Sequence, residues 1–298
     1  MDGILNIYKE PGFTSHDVVA KLRGILRQKK IGHTGTLDPD ARGVLPVCLG
    51  KATKLCALLT DEGKEYEAVL LLGRTTDTQD AGGTTLREDP EGAGRLSEEE
   101  VRACIRSFVG EQEQIPPMYS ALKVNGRKLY ELAREGIEVE RKARKVHFYE
   151  IQVLGAELPR VRIRVRCSKG TYIRTLCHDI GEKLGCGGCM EELLRTRVGR
   201  FCIEDALTLG EVEALAHQGR AEECLVSVEE MFDTLPRAQC DPAADRLLAN
   251  GNPVPLRQAV AEFDEDGAQV RMYDSTGRFI GIFAVERAQE RLKPVKMF

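Results

Sequence analysis

A carboxylate can do chemistry when the chain holds it on a stiff bend beside a rigid element. Residues 32–50 offer such a place: Gly-His-Thr-Gly-Thr-Leu-Asp-Pro-Asp-Ala-Arg-Gly-Val-Leu-Pro-Val-Cys-Leu-Gly. Gly32, Gly35 and Gly43 permit turns that a Cβ would block. Pro39 locks its own φ and pushes Asp38 toward extended geometry, so the Asp38 carboxylate is expected to stand out from a bend. Residues 44–49 are an apolar run that reads as a buried strand. The same residue types also build ordinary surface turns. Asp38 and Asp40 share the Asp-x-Asp spacing of aspartate phosphatases, although those place an apolar strand directly before the pair and Gly-His-Thr-Gly-Thr-Leu stands here. Local chemistry leaves nucleophile, base and plain turn all open.

Cations interleaved with aromatics are the second chemical signal. Lys123, Arg127, Lys128, Tyr119 and Tyr130 surround Asn125-Gly126, a hairpin signal, and Arg134, Arg141, Lys142, Arg144 and Lys145 follow. Such a mixture suits phosphate contacts and base stacking. A solvated insertion has the same composition. In Val-Arg-Ile-Arg-Val-Arg-Cys, residues 161–167, alternation turns Val161, Ile163, Val165 and Cys167 inward. Arg162, Arg164 and Arg166 then share the other face, covered by solvent or by a polyanion.

The elements that must position these groups are legible in outline. Residues 4–8 read as a strand, and Thr14 or Ser15 caps a helix whose Val18, Val19, Leu22, Ile25 and Leu26 share one face. Residues 51–60 read as a helix. Residues 65–73 read as a strand inside a sheet, apolar on both sides toward its end. Ser97 opens a capped amphipathic helix that stops at Gly110. Residues 204–235 read as short helices, residues 243–250 as a helix ending at Gly251, and residues 270–273 and 279–285 as a hairpin. This order is compatible with an α+β fold.

Composition sets the outer limits. A chain of 298 residues, 42% hydrophobic and 30% charged, suits one large and one small domain with a sizeable core. A formal net charge of −4 argues against general polyanion binding. The charge is segregated, however, with acidic clusters at 61–67, 88–100 and 222–230 and basic ones at 123–145 and 160–174. There is no run of about 18 apolar residues and no basic leader before an apolar segment, so no membrane span and a cytoplasmic compartment are expected. Most of the ten cysteines sit in apolar or helical patterns. Cys186-Gly-Gly-Cys189 lacks the second ligand pair of a structural zinc site, so no metal is expected.

Four ordered motifs resemble the TruB family, the bacterial tRNA pseudouridine-55 synthases. Lys9, Pro11-Gly12 and Ser15 resemble its first motif, and Gly32–Pro46 its catalytic-aspartate motif. Ser168-Lys-Gly-Thr-Tyr-Ile-Arg-Thr-Leu-Cys-His-Asp-Ile-Gly181 resembles a further block, and Glu191–Gly199 the last, with Leu194 where the family has an arginine. The resemblance covers residues 3–201 strongly, and implies Asp38 as the group that attacks a T-loop uridine of tRNA. His33 would occupy the space left by the flipped base, Tyr66 stack on the uracil and assist C5 deprotonation, and Arg174 pair with Asp38. An adjacent guanidinium lowers a carboxylate pKa, so this pairing is expected to keep Asp38 ionised. Tyr172 would pack beside the base and Leu193 form an apolar wall. Lys9 is carried over as substrate-binding, Arg195 and Arg197 as phosphate ligands, and Lys123, Arg127 and Lys128 as part of an insertion, about 115–145, that clamps the T-arm.

The implied fold is a mixed, mostly antiparallel sheet with flanking helices at 1–235, followed by a small β-rich PUA-like domain at 236–298. The implied reaction is an isomerisation that needs no metal, nucleotide or other cofactor, performed by a monomer. A metal-dependent hydrolase built on Asp38 and Asp40, and a non-catalytic RNA-binding module, are the rival readings.

Overall fold

The structure, a computed structural model, describes residues 1–260 and 265–298. Within them, nine strands form one sheet. Its main path runs Gly3–Lys9, Arg42–Leu49, Gly188–Val198, Lys64–Leu72, Arg160–Cys167, Arg144–Glu157, Gly110–Gln114, with Ile31–His33 and Phe201–Cys202 joined at its sides. Every neighbouring pair is antiparallel except Arg42–Leu49 against Gly188–Val198, which is parallel. The expected mixed, mostly antiparallel sheet with flanking helices is what forms.

The helices follow from caps and apolar stripes. Thr14 accepts from the Asp17 backbone N–H and Asp17 returns a bond to Thr14, which starts helix Ser15–Ile25. That helix and Leu209–His217 cover Leu5, Ile7, Leu45, Val47 and Leu49. Helices Glu98–Arg106 and Ile173–Leu184 cover the other half of the sheet through Leu70, Val161, Ile163, Val165, Leu176 and Ile180. Each fully buried aliphatic side chain contributes about 1.5–3 kcal/mol relative to exposure, so these two clusters set the sheet's shape. The span 51–60, expected as one helix, is a 3-10 turn Gly50–Leu55 running into a short α-helix Cys56–Thr60. Its first turn is tightened by Thr53, whose hydroxyl donates to the Gly50 carbonyl at 2.7 Å.

Two halves of the sheet meet at a narrow seam. The parallel pairing there consists of Leu194 opposite Arg42 and Arg195 opposite Gly43. Gly43 has φ +110° and lies so close to the Arg195 backbone that a Cβ would stand 2.2 Å from the Arg195 carbonyl oxygen. The loop from Thr34 to Ala41, which carries Asp38, springs from this seam. A second six-stranded sheet begins at Arg237 and packs around Ala238, Leu248, Val270, Met272, Phe283 and Leu292. The hairpin expected in the tail is Gln269–Tyr273 with Phe279–Glu286.

Helix Ile173–Leu184 lies hard against strand Gly188–Val198 because both glycines at the crossing lack a side chain. A Cβ on Gly181 would stand 2.1 Å from the Gly188 backbone nitrogen. Gly181→Ala is expected to destabilise the chain by about 1–3 kcal/mol, read as a lower denaturant midpoint at unchanged slope. An unchanged midpoint would contradict the close crossing.

Candidate active site

Arg174 is the centre of the site. Its side chain is 6% exposed, on the first turn of helix Ile173–Leu184. The guanidinium forks onto the Asp38 carboxylate, Nε 3.0 Å from Oδ2 and Nη2 3.1 Å from Oδ1. Nη1 also donates to the Thr78 carbonyl at 3.0 Å, and Nη2 to the Tyr119 carbonyl at 2.9 Å. Asp80 approaches Nη1 at 3.7 Å. The 38 loop, the turn at 76–80 and the start of the insertion therefore all converge on one cation.

Asp38 keeps 37% of its side chain open while both of its oxygens meet the fork. Its carboxyl is pushed upward from the ordinary range: burial leads and the Asp80 carboxylate adds, while Arg174 and Lys9 oppose. The sequence implied the opposite net direction. Arg174 acts in the expected sense, but desolvation outweighs it.

Beside Asp38 lies an apolar wall of Leu37, Ala41, Tyr66, Ile173 and Leu193, all buried in one cluster. Tyr66 is 7% exposed, and burial pushes its phenol up to about 12, opposed by Arg195 next to it. Tyr172 stands half-buried at the N-cap of the helix that carries Arg174. His33, at the end of strand Ile31–His33, is held below its ordinary pKa by burial, His16 and Arg195, and its ring stands edge-on to His16.

Two residues expected to meet substrate do something else. Lys9 is fully buried, and its ammonium donates to the Pro39 carbonyl at 2.8 Å and the Ala41 carbonyl at 2.5 Å. It is a strut under the Asp38 loop, with burial lowering its pKa to about 8. Arg195 is 1% exposed and donates from Nε to the Val44 carbonyl at 2.7 Å, while Tyr66 sits directly opposite it in the strand pairing. It lies beneath Tyr66 and has no surface to offer a phosphate. Both expectations fail because a charged side chain's depth is set by strand pairing and loop path.

The remaining cations are peripheral. Lys123 and Arg127 are exposed and Lys128 half-buried on a hairpin whose turn, Asn125 at φ +51° and Gly126 at φ +83°, matches the expected signal. Arg127 pairs with Glu135, and Lys128 lies over the Tyr130 ring. Arg197 is exposed on strand Gly188–Val198. The arginine face of strand Arg160–Cys167 is partly matched by carboxylates, Arg164 to Glu67 at 2.7 Å and Arg160 to Glu191 at 2.7 Å. Asp40 is exposed, and the strand before the Asp-x-Asp ends at His33, which removes the hydrolase geometry.

Residues 74–80 read in the sequence as a polar segment that positions RNA or closes a loop, while the approach of Asp80 to Arg174 and the part played by the Thr78 and Tyr119 carbonyls went unforeseen. Asp80 stood in a polar run after a strand, a signal that was visible. The carbonyls carry no side-chain signal at all. Among the described residues, no group of three or more His, Cys, Asp or Glu is placed to hold a metal, and no helix is long and apolar enough to cross a membrane.

Comparison with known proteins follows the same geometry. Residues 23–173 match the family described as TruB family pseudouridylate synthase (N terminal domain). Residues 174–233 match the tRNA pseudouridylate synthase B C-terminal domain, and residues 236–298 the family described as Pseudouridine synthase II TruB, C-terminal. The chain is 50% identical to the tRNA pseudouridine synthase B of Lachnoclostridium phytofermentans, with 100% of both chains covered. It is 46% identical to that of Clostridium tetani, covering 100% of this chain and 99% of the relative. The Bacillus pumilus protein of the same name is 41% identical, over 100% and 97% of the two chains. In three dimensions it is similar to a chain of an H/ACA ribonucleoprotein bound to a substrate RNA containing 2′-deoxyuridine. That match has a TM-score of 0.72 and 27% identity over 99% of this chain and 84% of the other.

The opposing influences on Asp38 can be separated. Arg174→Gln removes the main stabiliser of the carboxylate and is expected to move the Asp38 titration midpoint further up. Asp80→Asn removes a like charge and is expected to move it down. Carboxyl-resolved NMR titration of Asp38 reads both, and a shift of the wrong sign in either variant would refute this account.

Proposed function

The chain belongs to the TruB family of pseudouridylate synthases, and on that premise we propose that it isomerises a uridine in the T-loop of tRNA, position 55, to pseudouridine. The observation that carries the reading is the Asp38–Arg174 fork standing beside the apolar wall that contains Tyr66 and Leu193. In this reaction the N1–C1′ bond breaks and a C5–C1′ bond forms. C5 loses a proton and N1 ends with one, so the sum is an isomerisation with no net reactant. The target base must leave its stack to reach Asp38, and a flipped base needs an apolar slot.

Asp38 acts either by attacking C1′ or by removing the 2′ proton, and both steps require the carboxylate. The fork with Arg174 holds it in one orientation and supplies the cation that opposes burial. Tyr66, protonated at neutral pH, meets the uracil as a ring face and a hydroxyl. Acting on the C5 proton requires its phenolate, which Arg195 favours but burial, the larger influence, opposes. In this reading Tyr172 packs beside the base and His33 occupies the space that the base leaves. Lys123, Arg127 and Lys128 reach outward toward phosphate on the T-arm. Action in the cytoplasm as a monomer belongs to the same reading.

Unmodified tRNA transcript, incubated without metal or nucleotide, is expected to gain one pseudouridine in its T-loop with the wild-type chain and none with Asp38→Asn. Product persisting in Asp38→Asn would remove Asp38 from the chemistry. Arg127→Glu and Lys128→Glu are each expected to weaken tRNA binding regardless of sequence and to reduce the salt slope by about 1. Binding and salt slope equal to wild type would place the hairpin off the RNA.

A further inference from the structure

We infer that Gln114 is a positioning residue for Tyr172 and for the Asp38–Arg174 pair, acting through the Tyr172 backbone; the inference rests on the isomerase reading above. Gln114 ends strand Gly110–Gln114 and is 3% exposed. Its amide grips both polar groups of one distant residue. The Tyr172 N–H donates to Gln114 Oε1 at 3.0 Å, and Gln114 Nε2 donates to the Tyr172 carbonyl at 3.1 Å.

Tyr172 is the residue that needs this grip. It is the N-cap of helix Ile173–Leu184, with extended φ −106° and ψ 111° and no side-chain cap bond. A Ser, Thr, Asp or Asn at that position would hold the helix start itself; a tyrosine cannot. Its carbonyl already accepts from the Leu176 N–H at 3.1 Å. Gln114 therefore sets the angle at which the chain enters the helix. Two residues on, the same helix carries Arg174, whose fork on Asp38 tolerates little displacement.

Gln114 also stands at the root of the basic insertion. Arg144 is its register partner on the adjacent strand, so the chain leaves the sheet after Gln114 and returns at Arg144. Between them lie Tyr119, whose carbonyl accepts from Arg174, and the hairpin with Lys123, Arg127 and Lys128. One amide thus ties the base of the proposed RNA clamp to the Tyr172 backbone and the start of the helix that carries Arg174. Methionine has nearly the same length and shape and would fill the space without either bond.

The test uses full-length Gln114→Met and Gln114→Glu, the second keeping an acceptor for the Tyr172 N–H while losing the donor. Single-turnover pseudouridine formation at saturating enzyme is measured alongside tRNA dissociation constants, with rates normalised to the folded fraction from thermal unfolding. The rate per folded molecule is expected to fall on the order of 10- to 100-fold in Gln114→Met, with tRNA affinity within about threefold of wild type. Damage that is only structural would lower the folded fraction and leave the rate per folded molecule intact. A normalised rate within about twofold of wild type in both variants, or a loss lying wholly in tRNA affinity, would overturn the inference. Wild-type chain that forms no pseudouridine would instead sink the underlying reading, and the inference with it.

Discussion

A guanidinium that is 6% exposed must have its donors met by the protein, and that single demand assembles the site. Arg174 draws Asp38 from the 34–41 loop, the Thr78 carbonyl from the turn after a strand, and the Tyr119 carbonyl from the insertion. None of these segments is near another in sequence. Leaving any donor unmet in this setting costs about 1–3 kcal/mol, more because the group is charged, so the three segments are held at one point. The same demand gives Asp38 its orientation, since a planar fork accepts a carboxylate in few ways.

Depth divides the cations into two kinds. Lys9, Lys64 and Arg195 lie beneath the 34–41 loop and its strands, each donating to main-chain carbonyls. They brace the backbone of these loops and place positive charge beneath Asp38 and Tyr66. Their burial lowers the pKa of both lysines to about 8. The outer cations of the 123–128 hairpin are exposed or partly so, and their pairing with Glu135 and Tyr130 leaves them on the outside where a phosphate backbone can compete. A chain with a net negative charge can bind RNA on this arrangement, because the field that matters is local.

The charge balance at Asp38 rests on opposing effects, with burial the largest. Desolvation and Asp80 push the Asp38 carboxyl up, and Arg174 and Lys9 pull it down. A carboxylate made less comfortable by burial is also a stronger base and nucleophile once ionised. The Arg174 fork opposes that push and holds the carboxylate in one orientation.

Much of the fold was legible in sequence because it depends on local rules. The Thr14–Asp17 capping box, the alternation over 161–167 and the Asn125-Gly126 turn each act within a few residues, and each formed as read. The candidate nucleophile was legible through Pro39 and the surrounding glycines together with a long family motif, and the partner Arg174 through a second motif. Depth was not legible. Lys9 and Arg195 look like surface cations until Arg195 is found opposite both Gly43 and Tyr66 in the sheet and Lys9 under the loop carbonyls. Nor could sequence show that burial outweighs Arg174 at Asp38, or that Gln114 grips a backbone 58 residues away. Spacing and residue type report what a side chain can do. Only the packed chain decides how much water it keeps and which carbonyl lies beside it.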